Sequence, residues 1–313
     1  MYTIIVLRNH TQIGDDILAK HEGRCALCGK YTELTFEHVP PKAAFNKDRV
    51  KSYSLLDSIN DKDRLPWDVS GVPYTSLQKG SGFYSLCKEC NNNTGALYGN
   101  AYRSMAYSIA HALSEYDETT HHAITLTKVP AHQFIKQILS MFCSLNGYDV
   151  VERFPHPNVL INPERLSPIQ KTIYESTAAI YHAAHAMDSI RNFVLDPSAC
   201  CLDSRFHLYM YFSTDSFIRC CPFNSVMNLE DGTYTIVSEL TVPPFGFSLY
   251  FNPSPDANYP GINISEFASY SYNQLLTCQM PMIVKERNTY FPMDYRSKEE
   301  ILQCIEDTNS RIH

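Results

Sequence analysis

Two Cys-x-x-Cys pairs, Cys25-Ala-Leu-Cys28 and Cys87-Lys-Glu-Cys90, bracket an acid–imidazole pair, Glu37-His38, and Asn91 follows directly on the last cysteine. These residue types separate into sulfur and oxygen chemistry. Four thiolates at this spacing make a tetrahedral zinc site, with an iron–sulfur cluster as the alternative occupant. Four thiolates leave no open coordination position, so such a site is scaffold. The two pairs are far apart in the chain, which costs little because closure entropy grows slowly with loop length. Glu37 and Asn91 offer hard oxygen atoms, and few of them, which favours Mg²⁺ or Mn²⁺ with water and a phosphate oxygen completing the octahedron. His38, on the other side of a strand end, can take a proton from water. Each residue alone has a plainer account, as a surface pair or a helix cap. Their placement between two zinc half-sites favours a catalytic centre.

Local patterns supply the elements that must hold these residues. Residues 33–38 alternate as a strand that delivers Glu37 and His38 at its end, and Pro40-Pro41 stops it. After Cys90, Leu97, Ala101, Met105, Ile109, Ala112 and Leu113 recur at helical spacing to about Tyr116, with Asn91 at the helix start. A zinc tie between that strand and that helix lets Glu37 and Asn91 meet over one ion. Residues 42–85 are loop-rich and hold most of the local cations; Lys42, Arg49, Lys51 and Lys79 are the candidates for phosphate contacts.

The flanking chain reads as a short strand over 2–7, a short helix over 13–21, a strand over 123–129, an amphipathic helix through Phe134–Leu145 and a helix opened by Pro163. Beyond Arg205 the period shifts to two, giving strands over 206–212, 216–221, 234–240, 247–251 and 282–287, with turns at Asp231-Gly232 and Pro243-Pro244. A short helix over 297–307 follows. The expected fold class is α+β: a zinc-braced domain over residues 1–116, then an α+β domain over 117–313 with a mainly antiparallel sheet, serving regulation, oligomerisation or partner binding.

Composition fits this picture. With 44% hydrophobic and 19% charged residues, the 313-residue chain is an ordinary globular one. No apolar run is long enough to span a bilayer, and the N-terminus lacks a basic leader, so the expected location is the cytoplasm. Eleven cysteines in a reducing compartment argue for metal ligands and thiols rather than disulfides. The seven outside the two pairs lack ligand spacing and are expected to be structural, buried thiols. The net charge of −7 is unevenly spread: residues 1–100 carry 12 Lys+Arg against 11 Asp+Glu, and residues 101–313 carry 14 against 22. A phosphate-facing surface must therefore be local and lie in the first hundred residues.

The order Cys-x-x-Cys, acidic-His-x-x-Pro, Cys-x-x-Cys-Asn resembles the HNH endonucleases, the ββα-metal nucleases, in the subgroup braced by a four-cysteine zinc. The resemblance covers residues 25–105, and weaker features around Gly80–Cys87 and Thr94–Gly99 are similar to bacterial HNH proteins of phage-defence type. It implies a ββα-metal domain that hydrolyses DNA, with RNA as an alternative substrate, through one Mg²⁺ or Mn²⁺. His38 then matches the general base, Glu37 the acidic metal ligand and Asn91 the last motif position; a homo-oligomer or a defence partner protein is implied as well. The family's middle Asn has no clear counterpart, because Gly82-Phe83-Tyr84 stands where it is sought. The competing expectation is a non-catalytic zinc-braced module that binds nucleic acid or protein.

Overall fold

The computed structural model describes residues 3–6, 20–54, 71–117, 122–148, 167–214, 217–227, 234–255 and 259–285. The helices expected over 13–21 and 297–307 and the turn at Asp231-Gly232 lie outside them, apart from the last residues of the first helix. Within the described residues the chain is mixed helix and strand, an α+β arrangement as expected.

A small antiparallel sheet carries the Glu37-His38 segment. It consists of β2 (Glu22–Arg24), β3 (Tyr31–His38) and β6 (Gly82–Cys87), in that order. β6 runs straight into α1 (Lys88–Ser114). Cys87 is extended and caps that helix, its Sγ accepting from the Cys90 N–H. Tyr98, Tyr102, Met105, Ala106 and Ile109 form the buried face of α1, close to the periodicity read from the sequence.

The large sheet has nine strands and draws on both ends of the chain. It contains β1 (Thr3–Val6), β4 (Val50–Ser54), β5 (Tyr74–Leu77), β8 (Phe206–Ser213), β9 (Phe217–Met227), β10 (Tyr234–Val242), β11 (Phe245–Phe251), β12 (Ile262–Asn263) and β14 (Val284–Lys285). Its order is β12-β8-β11-β10-β9-β1-β4-β5, with β14 beside β8, and β1 lies parallel to both β4 and β9. The stretch expected to be loop-rich therefore contains three strands, β4, β5 and β6. β10 and β11 turn through Pro243-Pro244, as expected. A further pair, β7 (Ala123–Val129) and β13 (Leu276–Pro281), completes the strands.

α2 (Ala131–Asn146) differs from its expected amphipathic character. It is buried along almost its whole circumference, with Phe134, Ile138, Met141 and Phe142 fully enclosed, because α1, α3 (Pro168–Leu195) and the large sheet surround it. The cost is a set of polar side chains inside the core; Asn146 and Lys136 find specific partners, whereas Gln137 Oε1, Ser140 Oγ and Ser144 Oγ have none among the described residues. Asn146 accepts from the Phe223 N–H and donates to Ser238, where the β9–β10 register shifts. Lys136, 0% exposed, donates to the carbonyls of Phe193 and Asp196 and so satisfies the C-terminal end of α3.

Burial lowers the Lys136 ammonium from 10.5 to about 8. Between these values the unfolded chain binds more protons than the folded one, so stability rises with pH across that window. The expected gain is on the order of 2–3 kcal/mol. Urea unfolding from pH 7.5 to 10.5 measures it (~1 pH-unit steps suffice), and Lys136→Met removes the rise.

The expectation of buried thiols holds for Cys143, Cys220 and Cys221, whereas Cys278 is half-buried. Cys200 and Cys201 are exposed: they sit in the segment between α3 and β8 rather than on a strand, so no sheet face covers them. Cys304 lies outside the described residues.

Candidate functional site

The four cysteines of the two pairs come together. Their sulfur atoms all lie within 4.8 Å of one another, a cluster close enough to hold a metal such as zinc. Gly29, at φ +71°, closes the first knuckle, and its N–H bonds to the Cys25 carbonyl. The Cys87 N–H points at the Cys25 sulfur at 3.3 Å. Hydrogen bonding from Cys90 holds the Cys25 thiol down at about 4, so a thiolate is favoured at the centre of the cluster.

Two connections fix this cluster to the rest of the fold. The β3–β6 register skips Ser85, and the carbonyl of that extra residue accepts from Ala26 of the first knuckle at 2.8 Å. From the other side, buried Arg191 of α3 donates to the Ala26 carbonyl at 3.0 Å and to the Gly147 carbonyl at 2.8 Å, and its guanidinium stacks on Tyr148. One side chain thus joins the first knuckle to two helices of the later chain.

The strand that leaves this knuckle carries Glu37 and His38. Side-chain alternation puts Thr35 and Glu37 on one face and Phe36 and His38 on the other. Asn91, one residue into α1 past the last cysteine, reaches that first face: its Nδ2 donates to Thr35 Oγ1 at 2.9 Å and to the Phe36 carbonyl at 3.2 Å. Both its amide hydrogens are engaged there, which leaves Oδ1 as a free acceptor among the described residues. Glu37 is 6% exposed and has no hydrogen-bond or ion-pair partner among the described residues. Desolvation raises its carboxyl to about 8. A buried carboxylate without a partner is costly: without a counter-charge the group stays mostly protonated at neutral pH, and a bound cation is the other way to offset that cost. The donor types suit a hard divalent ion: the Glu37 carboxylate, and the amide oxygen of Asn91, whose Nδ2 is anchored to Thr35 on the face that Glu37 shares.

His38 sits at the strand end with Nε2 3.0 Å from the Lys79 carbonyl. A carbonyl only accepts, so Nε2 carries the proton and Nδ1 is the free base. Burial lowers the imidazole pKa, and the nearby Lys42 and Lys79 charges act in the same direction.

The loop after His38 is held by a residue that the sequence reading passed over. Asn46, 3% exposed, donates from Nδ2 to the Pro40 carbonyl at 2.6 Å and to the Ser81 carbonyl at 2.8 Å, and its Oδ1 accepts from the Ser81 N–H at 2.6 Å. It therefore ties the segment just after His38 to the segment just before β6. Gly80, at φ +95°, makes room for it: a Cβ there would lie 2.4 Å from the Asn46 carbonyl oxygen. That glycine was the only sequence signal for the clamp. Asn46→Ala leaves two buried backbone groups unpaired, the Pro40 carbonyl and the Ser81 N–H, while the Ser81 carbonyl still accepts from the Val39 N–H; about 3 kcal/mol of stability should be lost in urea unfolding.

The four cations expected to face phosphate fall in different places. Lys42 lies on the loop beside His38, and Lys79 contributes its carbonyl to that histidine. Arg49 donates to Ser76 at 2.7 Å, and the Lys51 ammonium lies 4.4 Å from the Tyr74 ring centre, so both are engaged across the β4–β5 pair. No helix among the described residues is long and apolar enough to cross a membrane. Compared with family models, curated proteins and solved structures, the chain matches none of them.

Proposed function

We propose that this protein is a divalent-metal-dependent endonuclease of the HNH type, hydrolysing phosphodiester bonds in DNA, with the four cysteines holding a structural zinc. One observation carries the proposal above the others: a buried Glu37 without a partner among the described residues shares a strand face with the residue that anchors the Asn91 amide, while the next residue is a histidine whose Nδ1 has no partner among them either. The order of elements also supports it, since two antiparallel strands run directly into the helix that bears Asn91.

In this mechanism Glu37 and the Asn91 Oδ1 hold Mg²⁺ or Mn²⁺, which when bound polarises the phosphate and stabilises the leaving oxygen. His38 does the proton work at Nδ1. It takes a proton from a water molecule as the water oxygen attacks phosphorus; the P–O3′ bond breaks with its electron pair going to O3′, which takes a proton from solvent to become the 3′-hydroxyl, and the other product keeps a 5′-phosphate. The Lys79 carbonyl fixes the tautomer. Asn46 keeps the backbone after His38 in place, the positioning task for which no residue was apparent between His38 and the second cysteine pair. Residues 117–313 brace the zinc knuckle through Arg191 and are proposed as a regulatory or partner-binding part, consistent with a defence effector.

Cleavage of single- and double-stranded DNA and RNA by the zinc-loaded chain, with and without Mg²⁺ or Mn²⁺, tests the proposal. Divalent-dependent products bearing 5′-phosphates support it. A chain that binds nucleic acid and cuts none of these substrates supports the non-catalytic zinc-braced module instead.

A further inference from the structure

Beside His38, the outer face of α1 and the loop over residues 42–47 enclose a cleft of about 670 Å³. Lys42 and Lys47 line it from the loop, and Arg103, Ser104, Tyr107 and Ser108 line it from the helix. No acidic residue lines it, and among the described residues none of the three cations is engaged in an ion pair. The helix residues fall one turn apart and share one solvent-facing stripe, which the core-facing periodicity of α1 leaves free. Tyr107 is 54% exposed, a high value for so large an apolar ring, and it rests against Phe45 with ring centres 4.5 Å apart. Phe45 itself holds a φ of +63°, a conformation that non-glycine residues rarely adopt, and it directly precedes the Asn46 clamp.

The geometry points to this cleft as the track for an unpaired stretch of the nucleic-acid strand next to the scissile phosphate. The inference rests on the nuclease reading for its orientation, because Lys42 links the cleft to His38. The chemistry of the lining stands on its own. Three cations with no ion pair among the described residues and two hydroxyls suit phosphate oxygens, which take most protein–nucleic acid hydrogen bonds. An exposed ring backed by a second ring suits a stacked base, and a base inside a duplex has no free face to offer it. Arg103, Lys47 and Tyr107 therefore become substrate-binding residues, and the substrate class narrows to single-stranded nucleic acid or duplexes with an unpaired segment.

The test measures fluorescence anisotropy of labelled single-stranded and duplex oligonucleotides with the full zinc-loaded chain carrying His38→Ala, without added divalent cation. The parent binds the single strand more tightly than the duplex. Adding Lys47→Ala and Arg103→Ala weakens single-strand binding about tenfold or more and lowers the salt slope by about 1.4, as expected for two phosphate contacts. Adding Tyr107→Ala alone weakens single-strand binding about tenfold and leaves the duplex unaffected. Lys47, Arg103 and Tyr107 are all exposed, and circular dichroism checks that the fold is kept. Single-strand affinities within about twofold of the parent for both variants overturn the inference, as does a parent that binds neither oligonucleotide. Cleavage by the native chain together with unchanged binding in the variants overturns the cleft and leaves the nuclease reading standing. Variant-sensitive binding by a chain that never cleaves does the reverse.

Discussion

His38→Ala lowers the single-turnover cleavage rate by about a thousandfold, near the middle of the range for loss of a general base. Substrate affinity should change little, because the groups that meet phosphate are elsewhere. Stability should also change little: the imidazole makes one hydrogen bond, to a carbonyl that can turn to water. The effect is therefore expected in rate and not in binding or melting temperature. The pH profile gives a second readout. With a saturating divalent cation keeping Glu37 ionised, the rate of the native chain rises through the histidine titration and levels off at neutral pH, since burial and two lysine charges hold that titration below its ordinary value. The alanine variant loses this step. A rate within about tenfold of the native one would remove His38 from the mechanism.

The second large effect is on the metal cluster. Cys87 is at once a ligand candidate, the cap of α1 and the last residue of β6, so the strand and the helix both depend on it. A structural zinc contributes about 10–16 kcal/mol to folding in small zinc domains, comparable to the whole stability of a typical domain. Cys87→Ser should therefore abolish stoichiometric zinc in elemental analysis and lower the melting temperature by more than about 10 °C. Cleavage goes with it, because Glu37 and Asn91 are held on one strand face only while β3, β6 and α1 stay docked. Native zinc content and melting in this variant would contradict a four-thiolate site.

How much of this was legible in the chain depends on the range over which each feature is encoded. Zinc ligands announce themselves through short fixed spacing, and Cys25, Cys28, Cys87 and Cys90 do gather. α1 was legible because Ala101, Met105 and Ile109 repeat at helical spacing, and all three are buried in the helix that forms. β4 was hidden: Val50–Ser54 is short, lies in a polar stretch and gains its partners from β1 and β5 rather than from a neighbouring hairpin alone. α2 looked one-sided because its Lys136 and Asn146 are polar, yet both are buried on partners 57 and 92 positions away. Asn46 was the costliest omission. Its bonds run to main-chain atoms 6 and 35 positions away, and main-chain atoms leave no residue-type signature. Spacing rules find side chains that share a ligand; they do not find a side chain that ties two loops together.

Manganese binding to the zinc-loaded chain tests the central claim most directly, because it asks whether the orphaned carboxylate on β3 holds an ion at all. Electron paramagnetic resonance counts free and bound Mn²⁺ in the native chain and in Glu37→Gln, which keeps the side-chain shape and removes the charge. The account predicts about one bound Mn²⁺ per native chain and at least about a tenfold weaker site in Glu37→Gln, with zinc content the same in both. Equal manganese binding by the two proteins would contradict it.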